Sequence, residues 1–206
     1  MAIGEKQPTR REIEARATRS KIFHTAINLF SQHGYDKVTV DDIVQYAGVS
    51  KGSFYTHFPS KESVLVEQFH LIDDYYEAAF RNVSSQMPAS EMLRLLVSTM
   101  CKYCGNVCGV NVMKIVYMNQ ISLGEHENIL LDSGERNLYT LLRKIVDQGF
   151  ETAEFSVSLS KEVLVEYLAR FLRSLIYDWC LYDGKQSLEE MGAEYFDTII
   201  SWLCMK

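Results

Sequence analysis

Three features of the sequence predict an all-α protein. Prolines number only three in 206 residues, at positions 8, 59 and 88, so the strongest helix breaker is missing from 89 onward. Glycines number 11, too few for turn-rich sandwiches and barrels. Apolar residues recur three and four positions apart along most long segments, the spacing of one helical face. At 47% hydrophobic and 23% charged, the chain is soluble and globular in composition and can fill a sizeable core. No apolar run approaches the roughly 18 residues of a membrane span. The first twelve residues are polar and lack a signal-peptide core, so the cytoplasm is the expected compartment.

Taken in order, residues 1–11 read as a flexible basic arm. From about Glu12 a stripe of Ile22, Phe23, Ala26, Leu29 and Phe30 forms one face of a helix, which ends at Gly34 in a left-handed cap. Thr39-Val40-Asp41-Asp42 resembles a capping box, with Asp in place of Glu, and Ile43 and Ala47 give the short helix behind it an apolar face. Gly48 ends that helix. Ser50 opens another, with Phe54 and Phe58 facing inward and Pro59 stopping it. Ser60 caps a longer helix through Leu65, Phe69, Ile72, Tyr76 and Phe80, and Asn82–Ser90 is a loop. Further helices are expected over about 91–104, 110–122 and 128–149. Another runs from a Ser160 cap to about Tyr182, and the last starts at the Ser187-Leu188-Glu189-Glu190 capping box.

Charge is asymmetric. Residues 1–60 carry a net +2 and residues 61–206 a net −8. Lys6, Arg10, Arg11, Arg16, Arg19 and Lys21 crowd the front, which suits an end that meets a polyanion while the rest keeps the chain soluble. Two short helices joined by Ala47-Gly48-Val49 also have the pattern of a helix-turn-helix.

The residues that carry this pattern match a family. Thr39-Val40-Asp41-Asp42-Ile43, Ala47-Gly48-Val49-Ser50-Lys51-Gly52-Ser53-Phe54-Tyr55-Thr56-His57-Phe58 and Ser60-Lys61-Glu62 resemble the DNA-binding domain of TetR/AcrR transcriptional regulators over about residues 17–65. The resemblance implies a helix-turn-helix domain at 12–60 and a helical effector-binding and dimerisation domain at 61–206. It further implies a homodimer on a palindromic double-stranded DNA operator, in most such proteins a repressor released by a small molecule. An activator remains open on the sequence alone.

The recognition helix would run from about Lys51 to His57, its first residues reaching base edges in the major groove. Lys51 suits guanine or phosphate, and Gly52 permits close backbone approach. Ser53 and Thr56 suit a base edge or a phosphate, Tyr55 a phosphate or a thymine methyl, and His57 the backbone. By resemblance Thr39 and Lys61 bind phosphates at their helix starts, where free amides favour an anion. Tyr46 falls on the exposed face of the second helix and is a further candidate DNA contact.

In the body, Tyr103, Met113, Tyr117, Met118, Phe171 and Tyr177 are candidate lining residues of an effector pocket, which would favour a mainly apolar small molecule. Leu168, Leu172, Leu175, Trp179, Tyr195, Phe196, Ile199 and Trp202 make the last two helices apolar on more than one face. A twofold four-helix dimer interface explains that, and a monomeric core wrapped around both faces is the alternative. Five cysteines read as free thiols in a reducing compartment. Cys101, Cys104 and Cys108 share one helical face, and a soft metal bound there would draw any fourth ligand from His126, Cys180 or Cys204, although the spacing fits no known zinc pattern. An apolar stripe is the favoured reading of the three, with metal binding or oxidant sensing still open. Walker, nucleophile-elbow, HExxH and dinucleotide motifs are missing, so neither an enzyme nor a bound cofactor is expected. Asp73-Asp74 and Glu125-His126-Glu127 are the carboxylate clusters an enzyme would have to use, and both read as solvated surface. A sensor or scaffold that has lost DNA binding is the other competitor, and intact Lys51, Tyr55 and Lys61 argue against it.

Overall fold

The computed structural model describes residues 9–123 and 136–205, which fall into two compact units, Met1–Glu67 and Gln68–Lys206. Among the described residues every regular element is helical. The first eight residues of the expected arm, Glu125-His126-Glu127 and the start of the helix expected from 128 lie outside the described residues.

In the first unit, α1 (Arg10–His33) begins earlier than the apolar stripe suggested. The reason is local: Thr9 Oγ1 accepts from Glu12 N and the Glu12 carboxylate accepts from Thr9 N, a full capping box whose N-cap lies three residues ahead of the expected start at Glu12. At the other end Gly34 has φ +87°, which a side chain would strain, but its ψ of 143° sends the chain outward in an extended step instead of closing a left-handed cap. A 3-10 turn, Tyr35–Lys37, leads to α2 (Val40–Ala47) and α3 (Lys51–His57). The unit closes over Ile22, Phe30, Ile43, Ala47, Phe54 and Phe58, all buried. Each such side chain contributes about 1.5–3 kcal/mol if large. α4 (Lys61–Phe80) adds Val64 and Leu65 to this core before the chain enters the second unit, so the first unit extends beyond residue 60.

The second unit holds the rest of α4, α5 (Ala89–Lys102), α6 (Val110–Ser122), α7 (Asn137–Glu151), α8 (Lys161–Leu181) and α9 (Leu188–Leu203). Pro88 precedes α5 and has no hydroxyl to offer. The Glu154 carboxylate, from beyond α7, accepts from Ala89 N at 2.7 Å and Ser90 N at 3.1 Å instead. The helix expected over 91–104 breaks at Lys102 into a wider π-type turn, Tyr103–Cys108, closed by Gly109 at φ +79°. Two glycines mark close approaches. A Cβ at Gly149 would sit 2.2 Å from the Phe155 ring, and one at Gly192 would sit 2.5 Å from Cys101 Sγ, where α9 lies on α5. Among the described residues no helix is long and apolar enough to cross a membrane.

Candidate nucleic-acid interface

α2, the turn and α3 are specified almost atom by atom by local sequence. Thr39 caps α2 through a reciprocal box with Asp42: Asp42 N donates to Thr39 Oγ1 at 3.2 Å, and Thr39 N and Oγ1 donate to Asp42 Oδ2 at 2.8 and 2.6 Å. Gly48 ends α2 at φ +62°, ψ +41°, a left-handed conformation that costs a side chain about 1 kcal/mol. Ser50 Oγ then accepts from Ser53 N at 3.0 Å to start α3. Phe54 and Phe58, with ring centroids 5.9 Å apart, anchor α3 from beneath.

With that face buried, α3 displays the opposite one. Lys51, Gly52, Tyr55 and Thr56 are exposed, and Ser53 and His57 are half-buried. Tyr46 on α2 is 69% exposed and Tyr55 is 49% exposed, which leaves both rings open to solvent. Thr56 Oγ1 donates to Gly52 O at 2.9 Å, so its hydroxyl is turned back on the helix and offers only its lone pairs outward. Lys51 Nζ is held by the Asp41 carboxylate of α2, 2.8 Å from Oδ1. That ion pair raises the lysine further above its ordinary value, keeping it charged.

Two expected phosphate sites come out differently. At Thr39 the hydroxyl already donates to Asp42, and α2 opens with the carboxylates of Asp41 and Asp42. Hydrogen bonds from Thr39 hold the Asp42 carboxyl below its usual range, so it is an anion there. The helix end that would draw a phosphate is thus occupied by negative charge. Lys61 Nζ donates to Tyr35 O at 2.9 Å and Val38 O at 3.0 Å and lies 4.0 Å from the Tyr35 ring centroid. It braces the 3-10 turn, leaving one N–H for any outside acceptor.

Sequence reasoning counts Arg19 and Lys21 in the basic front segment but gives neither a place at the site. Arg19 makes a two-pronged bond to Glu67, at 2.7 and 2.5 Å. It also donates to His57 O at 2.7 Å and covers the Phe58 ring at 4.6 Å. It therefore ties the end of α3 to α1 and α4. Lys21 brings its ammonium to the Gly48 turn. The only trace of either in the sequence is the basic excess of the front segment.

The pocket and interface candidates in the second unit divide. Tyr103, Met113 and Tyr117 are buried, whereas Phe171 is half-buried and Met118 and Tyr177 lie on the surface, Met118 at 71% exposure. Tyr103 donates to buried Gln68 at 2.9 Å, and Tyr117 donates to Arg173 O at 3.1 Å. A buried ion pair, Arg136 with Asp73 at 2.8 Å over the Phe69 ring, crosses the same interior and makes Asp73 an internal group, contrary to its expected place on solvated surface. Of the expected interface, Leu168, Leu172, Leu175, Trp179, Phe196 and Ile199 belong to the chain's own core, because α8 and α9 turn their stronger apolar faces inward. Tyr195 and Trp202 are exposed, together with Tyr167, Tyr177 and Leu181. A groove of about 580 Å³ between α8 and α9 runs past Leu175, Met191 and Tyr195.

The thiols do not converge on a site. Cys101 packs on Gly192, Cys104 is buried, and Cys108 Sγ donates to Gln68 Oε1 at 3.0 Å. Burial pushes Cys101 and Cys108 up to about 12, so both stay protonated at neutral pH. Among the described residues no three His, Cys, Asp or Glu groups are placed to hold a metal ion, and His126 lies outside them.

Residues 22–67 match the family described as bacterial regulatory proteins, tetR family. The N-terminal helix-turn-helix segment is thus a TetR-family domain. Its TetR relatives include the negative transcriptional regulator IcaR of the biofilm operon icaADBC of Staphylococcus aureus, 42% identical over 57 residues, 28% of this chain and 31% of that protein. N-terminal matches of this kind take in a third or less of the relatives' own length. The fatty acid metabolism regulator protein of Bacillus subtilis aligns over 187 residues at 21% identity, covering 88% of this chain and 93% of the relative. The crystal structure of FadR from Bacillus subtilis in complex with stearoyl-CoA shares the fold, with a TM-score of 0.74 at 19% identity over 89% of this chain and 98% of that one.

Proposed function

We propose that this TetR-family chain is a cytoplasmic transcriptional repressor that binds a palindromic operator as a homodimer. A small, mainly apolar effector in the second unit releases it, and no catalytic step is involved. The observation that carries the reading is α3: a capped helix, anchored by Phe54 and Phe58, that presents Lys51, Gly52, Tyr55 and Thr56 to the outside. Such a helix has the length and side chains to enter a major groove. The outward aromatic strip of α8 and α9, with Tyr167, Tyr195 and Trp202, supports pairing with a second copy. The buried leucines of α5, α7 and α8 (Leu93, Leu96, Leu142 and Leu168) make the body's interior apolar, which supports an effector with an apolar chain. The likeness over 88% of the chain to a fatty acid regulator supports the same class, and the stearoyl-CoA bound to FadR of the same fold nominates a long-chain acyl-CoA for the first titration.

Operator selection tests the reading: the full chain is incubated with random duplex DNA at a stated salt concentration. A recovered palindrome, released on titration with acyl-CoA, is the expected result. Recovery of no enriched sequence at low salt would overturn the DNA-binding role.

A further inference from the structure

α2 opens on two aspartates, and the structure gives them different partners. Asp42 closes the Thr39 box. Asp41 reaches across the turn to α3, its Oδ1 and Oδ2 lying 2.8 and 3.1 Å from Lys51 Nζ. Both side chains are largely exposed, so the ion pair adds little to stability. Its effect is to orient the one lysine at the start of the reading helix.

We propose that Asp41 is a specificity-determining residue of the reading head, a positioning residue that acts through Lys51. This rests on the DNA-binding reading above. A lysine ammonium has three N–H donors on a flexible stem, and left alone it falls on the nearest phosphate, a contact that carries no sequence information. Two carboxylate oxygens on one side of Nζ hold it at the N-terminus of α3 and leave a donor for guanine O6 or N7 in the groove.

Asp41 also acts by its own charge. The start of α2 has the free amides that would attract a phosphate, and the carboxylate opposes one there. That opposition is the same on every duplex. The gain through Lys51 exists only where the sequence offers guanine at the right step. A uniform penalty joined to a conditional gain lowers non-specific binding more than specific binding.

The experiment measures full-length wild type, Asp41→Asn, Asp41→Glu, Lys51→Ala and the Asp41→Asn/Lys51→Ala double variant. Each is titrated against the selected operator and a scrambled duplex over a salt series, with helical circular dichroism as the check on folding. Asp41→Asn should bind the scrambled duplex about threefold more tightly, with a salt slope steeper by up to about one unit. The ratio of operator to scrambled affinity should fall about tenfold, the size of one lost base contact. Asp41→Glu should keep most of that ratio, and Asp41→Asn should leave it unchanged in the Lys51→Ala background. An unchanged ratio in Asp41→Asn, or equal weakening on both duplexes, overturns the proposal while the DNA reading stands. A wild type that selects no duplex removes the DNA reading and this inference together.

Discussion

In the first unit α1, α2 and α3 are each capped by the residue immediately before them: Thr9, Thr39 and Ser50. In the second unit α8 and α9 are capped in the same way, by Ser160 and Ser187, but α5, α6 and α7 have no capping side chain at their own N-caps, and α5 is closed by Glu154 from 65 residues away. The polar chemistry follows the same division. In the head the charged and hydroxyl groups of α3 face outward, whereas the body buries Gln68, Gln120 and Arg136. A short-range design yields a rigid surface that varies by side-chain replacement alone. A long-range design makes the body's interior depend on partners brought together by folding, so substitutions there register in stability before anything else.

That contrast can be tested in order of effect. Arg136→Met, which strands the Asp73 carboxylate in the interior, should cost about 3–5 kcal/mol of unfolding free energy. Adding Asp73→Asn should recover more than half of it. A loss below about 1 kcal/mol in urea unfolding would show that water reaches the pair and that the body is less closed than described. Gly149→Ala should cost about 1–3 kcal/mol, since the new Cβ meets the Phe155 ring and the chain there is pinned by Glu154 N and Phe155 N on Gly149 O. Phe155→Ala in the same background should then be less costly than in wild type.

The thiols give a pH signature. Folding raises Cys101 and Cys108 from about 9 to about 12, so the folded chain holds protons that the unfolded chain has released. Their contribution is complete below pH 9 and is lost as pH rises toward 12, on the order of 1 kcal/mol per thiol by pH 10. The urea midpoint should fall between pH 9 and 11, and Cys108→Ala should flatten that fall. At the small end of the scale, Tyr55→Ala on the head should change stability by no more than about 0.5 kcal/mol while weakening operator binding by about 1–2 kcal/mol. A large stability loss instead would make Tyr55 part of the head's packing and erase the difference between the units.

The same contrast explains what the sequence could and could not disclose. The caps at Thr39, Ser50, Ser160 and Ser187, the Gly48 turn and the buried Phe54–Phe58 pair are all i, i+3 or i, i+4 relations, visible in a line of letters. Thr9–Glu12 has the same spacing, but no apolar stripe follows it closely to mark a helix start. On α8 and α9 periodicity identifies two apolar faces without saying which one the chain keeps for its own core, and Leu168 and Phe196 lie on the face it keeps. The Arg136–Asp73 and Glu154–Ala89 partnerships join residues more than sixty apart, and a single sequence holds no mark of such distances. At the candidate interface the residue types of α3 were legible. The restraint of Lys61 by Tyr35 O and of Lys51 by Asp41 was not, because both depend on how a turn brings two helices together.

The cap that Glu154 places on α5 also bears on the order of folding. Until the chain beyond α7 has returned, Ala89 N and Ser90 N have no carboxylate to meet, and closing a loop of 65 residues carries an entropic cost that a neighbouring hydroxyl would not. The first turn of α5 should therefore be among the last pieces of the body to become protected. Its amides should exchange with solvent deuterium by the same opening that undocks the α7–α8 connection, so that two segments far apart in sequence breathe as one.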